Sequence, residues 1–131
     1  MSRSGHSHQG NGVQFDTFDA HSGIVSAVAS GGAASVKGKA VTITGNDEYG
    51  YGSAGDPLRG VILHYEDEDC MTVQYRGYAE LDGVSGALPT AGNYLVVDGA
   101  GAVSATATAT NAYAVSVGSD SATGPVIVLI S

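Results

Sequence analysis

Tryptophan is absent from this 131-residue chain, and cysteine occurs once, at Cys70. A single cysteine excludes an intrachain disulfide and a thiolate zinc cluster. Cys70 itself reads as a small, half-buried strand residue. Cations are scarce: two lysines and three arginines face 13 acidic residues, for a formal net charge of −8. A nucleic-acid site needs a basic patch that displaces counterions from phosphates. Five cations spread along the chain do not build one, so neither nucleic acid nor an anionic membrane is an expected partner. Leucine is also sparse, which argues against a helical bundle. No apolar run is long enough to cross a bilayer; the longest is Val126 to Ile130. The N-terminal MSRSGHSHQGNG lacks the apolar stretch of a secretory signal. These absences predict a chain made in a cytoplasm and staying soluble.

Glycine is what the chain has in excess: 20 of 131 residues, roughly twice the ordinary share. The glycines show no three-residue period, which excludes a collagen. Hydrophobic residues make up 43% of the chain, enough for a core. From residue 23 onward the hydrophobic pattern has period two. In Cys70 to Asp82, Met71, Val73, Tyr75, Ala79 and Leu81 fall on one face. Thr72, Gln74, Arg76, Tyr78 and Glu80 fall on the other, with a bend expected at Gly77. Val103 to Val117 also alternates and is too long for one strand, so a break is expected near Asn111. Further strands are expected at Ile24–Ala29, Ala40–Thr44, Arg59–Tyr65, Tyr94–Val97 and Val126–Ile130. The unbroken apolar run of the last suggests burial on both faces. Turn signals separate them, among them Gly45-Asn46-Asp47, Glu66 to Asp69, Ala91-Gly92-Asn93 and the hairpin signal Asp98-Gly99. No segment shows a convincing amphipathic helix. The expected fold is all-β, a compact β-barrel or sandwich of short strands over residues 23–131. Residues 1–22 read as an extended N-terminal arm. Both phenylalanines, Phe15 and Phe18, lie in that arm; they dock on the chain's own body or anchor the arm on a partner.

Motifs that carry chemistry are few. Gly50-Tyr51-Gly52-Ser53-Ala54-Gly55 matches the spacing of a dinucleotide fingerprint, but Asp56-Pro57 and another strand follow where that fingerprint requires a helix. It reads instead as a glycine-tyrosine loop, with Tyr49 and Tyr51 as a candidate exposed contact loop. Glu66-Asp67-Glu68-Asp69 lacks the alternating ligands and central glycine of a calcium loop and reads as a solvated hairpin turn. His6 and His8 have no nearby Cys or carboxylate, and His64 reads as a strand residue. No set of nucleophile, base and orienting group is recognisable, so no catalytic residue, cofactor or metal site is expected and the chain is not read as an enzyme.

An ordered series of motifs remains. A polar arm leads into Ile24-Val25-Ser26-Ala27-Val28-Ala29. Val36-Lys37-Gly38-Lys39-Ala40-Val41, Gly60-Val61-Ile62-Leu63 and Val73-Gln74-Tyr75-Arg76-Gly77 follow. Then come Ala91-Gly92-Asn93-Tyr94-Leu95-Val96-Val97-Asp98-Gly99-Ala100-Gly101-Ala102-Val103 and the terminal Val126-Ile127-Val128-Leu129-Ile130. In this order the series, from about Ser22 to Ser131, resembles the small capsid decoration (cement) proteins of tailed phages and related archaeal tailed viruses. The resemblance implies a structural virion protein on the outer capsid surface, a homotrimer that bridges subunits of the major capsid protein. It would place capsid contacts on the arm, at Phe15, Phe18 and His21. A different class of function is a β-sandwich module of a viral head fibre that binds a glycan or receptor. Tyr49, Tyr51 and Tyr78 would then be its sugar-stacking candidates.

Overall fold

The alternation of residues 70–82 is realised as one long strand, and the rest of the fold is arranged about it. The structure, a computed structural model, describes residues 13–84, 88–106, 114–119 and 125–130. Nine strands lie among the described residues: β1 (Gln14–Ala20), β2 (Ala40–Gly45), β3 (Glu48–Gly50), β4 (Gly60–Asp67), β5 (Cys70–Asp82), β6 (Tyr94–Val97), β7 (Val103–Thr106), β8 (Ala114–Ser119) and β9 (Pro125–Ile130). One helix, α1 (Ser22–Gly31), and a short 3-10 turn (Ala33–Ser35) complete the elements. The fold is all-β in class.

The strand pairings form two circuits that share β5. In the first, β5 pairs with β4, β4 with β2, β2 with β3, and β3 with β1; β1 then returns to the first half of β5. In the second, the later half of β5 pairs with β9, followed by β8, β6 and β7. A parallel bridge between Gly83 and Val103 leads from β7 back to the end of β5. Closure of this kind covers strand edges that would otherwise template association.

Gly77 is the pivot between the circuits. Its φ of 101° is open to glycine and strained for any residue with a Cβ. Before it, Gln74 registers with β4 and β1; from Gly77 onward the register passes to β9. The buried Gln74 amide spans the bend. Its Nε2 donates to the carbonyls of Arg76 and Tyr78, at 3.2 and 2.8 Å, so the buried amide is itself satisfied across the bend. The core divides into two clusters, the second of which also draws in Ala40 of β2 and Val61 of β4. Ile24, Val36, Val41, Ile62, Met71 and Val73 fill the first. Leu81, Leu95, Val97, Val103, Val126, Val128 and Ile130 fill the second. The terminal run, expected to be buried on both faces, instead alternates, with Val126, Val128 and Ile130 buried and Ile127 and Leu129 only half-buried.

Two expectations for residues 14–31 also change. Ile24–Ala29 is helical, not a strand. Ile24, Ala27 and Val28 stand at positions i, i+3 and i+4, and all pack on the first core. His21 caps the helix, its Nδ1 accepting from the Gly23 N–H at 3.0 Å. The Gly32 N–H ends it by donating to the Val28 carbonyl at 2.7 Å. The boundary drawn at residue 22 also moves, because residues 14–20 are β1, paired antiparallel with β5 and parallel with β3. Residues 1–12 of the expected arm, the expected break near Asn111, and His6 and His8 lie outside the described residues. The Asp98-Gly99 hairpin joins β6 to β7 as expected, with Asp98 Oδ1 accepting from the N–H groups of Ala100 and Ala102.

Candidate functional site

The residues expected to make contacts separate into two groups. His21 and Tyr51 come together in an open cleft of about 570 Å³, shared with Ile43, Thr44, Ser53 and Asp56. His21 is exposed, and its Nδ1 is engaged by the helix cap, which leaves Nε2 to carry the proton of the neutral ring. Thr44 Oγ1 donates to Glu48 Oε1 at 2.7 Å. The Ser53 N–H donates to Asp56 Oδ2 at 2.9 Å. Burial pushes the Tyr51 phenol above its ordinary range. The cleft therefore offers an aromatic face beside a hydroxyl, a carboxylate and an imidazole.

The glycines of this segment serve packing. A Cβ at Gly50 would stand 2.6 Å from the His21 Cβ, and one at Gly52 would stand 2.5 Å from Thr42 Cγ2. The chain after Gly52 is tied to β6: the Gly55 N–H donates to the Val97 carbonyl, and the Val97 N–H to that of Asp56. A β-bridge at Pro57 and then β4 follow, not the helix that would hold a pyrophosphate.

Phe18 and Tyr49 form the second group, and here an expectation is corrected. Tyr49 is no exposed loop residue; it lies in β3 at 6% exposure. Its neighbour across the pairing brings Phe18 over it, with ring centroids 4.7 Å apart, and Phe18 meets Tyr75 edge-on at 6.2 Å. Phe18 thus docks on the chain's own body. Phe15, three residues earlier on the same strand, is 59% exposed. Beside the ring cluster is a smaller pocket of about 210 Å³ lined by Tyr49, Arg59, Tyr75 and Arg76. Arg59, Tyr75 and Arg76 are expected from sequence only as strand residues, not as contact residues. The available signal was that two of only three arginines lie next to strand aromatics, but which strands meet was not legible. Tyr78 lines neither cavity; it sits half-buried on β5 beyond the bend.

Glu66 and Asp67 end β4 and Glu68-Asp69 make the turn into β5, with the Asp69 N–H donating to Asp67 Oδ1 and the Glu68 carbonyl accepting from the Ala20 N–H. Among the described residues, no group of three or more His, Cys, Asp or Glu is placed to hold a metal ion. No helix among them is long and apolar enough to cross a membrane. No protein-family model and no curated protein matches the chain.

Proposed function

We propose that this chain is a structural decoration protein of an icosahedral viral capsid. In this reading it binds the outer surface as a homotrimer and bridges subunits of the major capsid protein. The observation that carries the reading is Phe15. It is the most exposed large apolar side chain among the described residues, and it lies in the N-terminal segment to which the resemblance assigns capsid contact. Phe15 registers with Gln74 of β5, so the ring is presented from a paired strand and less chain entropy is lost when a partner covers it. Three such contacts in one trimer would bind a shell with high avidity from small individual interfaces.

Purified protein mixed with expanded shells lacking it should co-sediment with them and not with unexpanded precursors. Binding to neither form would contradict the reading. Phe15→Asp should abolish co-sedimentation while changing the unfolding free energy by no more than about 0.5 kcal/mol, as for an exposed site.

The cleft beside Tyr51 supports a second reading, a glycan- or receptor-binding module of a head fibre. An aromatic face flanked by Ser53 and Asp56 suits a sugar ring. A glycan-array signal abolished by Tyr51→Ala would favour it.

A further inference from the structure

Two of the five cations in a chain of net charge −8 line one small pocket, together with two tyrosines. Arg59 enters from the segment before β4, where its N–H donates to the Val41 carbonyl at 3.0 Å. Arg76 lies at the bend of β5, where its carbonyl is held by Gln74. Tyr49 and Tyr75 form aromatic walls, and Phe18 packs against both. Burial raises the Tyr49 phenol, and the charge of Arg59 pulls it back down, so the guanidinium field reaches this hydroxyl.

We propose that this pocket binds one carboxylate group, with Arg59 and Arg76 supplying the charge and Tyr49 and Tyr75 enclosing the carbon stem. Guanidinium presents a planar fork that matches a carboxylate in two parallel hydrogen bonds. A cavity of about 210 Å³ lies below the roughly 300–1,000 Å³ of sites for drug-sized ligands, a size that suits a small group such as a carboxylate. The acidic remainder of the molecule repels polyanions, whereas a single negative charge meets a local pair of positive ones. An acidic side chain of a protein partner and a free small carboxylic acid present the same group. The inference does not depend on the capsid reading.

The test uses the full chain, isotope-labelled for NMR, with the arginine Nε–H resonances as reporters. Sodium acetate, a capped Ala-Glu-Ala peptide and sodium phosphate are titrated in turn, with sodium chloride holding ionic strength constant. Saturable shifts at Arg59 and Arg76 are expected with acetate and with the peptide. Affinity should fall about tenfold in Arg76→Gln, the loss of one charged hydrogen-bonding partner. Arg76→Lys, which keeps the charge and loses the fork, should also bind more weakly than the parent, with an unchanged amide spectrum. Tighter binding of the peptide would identify a protein side chain as the source, and equal affinity a free acid. Phosphate binding more tightly than either, chloride alone reproducing the shifts, or affinity unchanged in both Arg76 variants would overturn the proposal.

Discussion

Tyr49 and Tyr51 are both held in their neutral form by burial. An unfolded phenol ionises near its ordinary value of about 10, while the folded phenols ionise later. Below that value both states are protonated and stability is unaffected. As pH rises past it, the unfolded chain releases its protons first, and the native state loses ground until the folded phenols ionise as well. Urea midpoints should therefore hold level to about pH 9 and fall as pH rises beyond 10. Tyr49→Phe should reduce that fall. The series belongs in a Cys70→Ser background, because a hydrogen bond to Glu66 also holds the thiol above its ordinary range. An alkaline decline of the same size with and without the Tyr49 hydroxyl would show that Tyr49 is not protected as described.

At the scale of elements, β5 carries the greatest weight because both circuits pass through it. Gly77→Ala forces a Cβ into a backbone region with φ of 101° and should cost about 1–3 kcal/mol in unfolding free energy. A variant as stable as the parent would mean that β5 can pass between circuits without the bend. This strand was the most legible part of the sequence, since Met71, Val73 and Leu81 point into cores and a glycine marks the change of partner. The hairpin at Asp98-Gly99 was legible for a similar reason: local turn chemistry fixes it. α1 was not, because Ile24, Val25 and Val28 are β-branched and favour a strand in isolation. The decision rests on the His21 cap and on a core face assembled from distant strands. β1 was hidden differently. Gln14, Asp16, Thr17 and Asp19 are exposed, and the strand is held by backbone pairing to β3 and β5, which composition does not report. The candidate cavities were illegible for the same reason, as Arg59 meets Arg76, and His21 meets Tyr51, only through strand pairing.

For the whole molecule, the two-sided pairing of β1 changes what truncation should do. An arm separable at residue 22 would leave a folded body when removed. Deleting the chain through Ala20 instead strips the strand that closes the first circuit, along with Phe18 and Ala20 from its core. The truncated chain should lose its cooperative urea transition or show a much lower midpoint. A midpoint equal to that of the full chain would restore the separable arm. The excess of acid, −8 per chain, means that copies gathered on a shell repel one another unless salt screens them. On the proposed decoration function, trimer formation and capsid attachment should accordingly strengthen with ionic strength. Contacts centred on Phe15 suit that regime, because apolar burial is not screened. The most direct measurement is electron cryomicroscopy of otherwise identical virus particles assembled with and without this protein. The expected result is added density on the outer shell, in clusters of three that bridge neighbouring capsid subunits. Outer surfaces indistinguishable between the two preparations would contradict it.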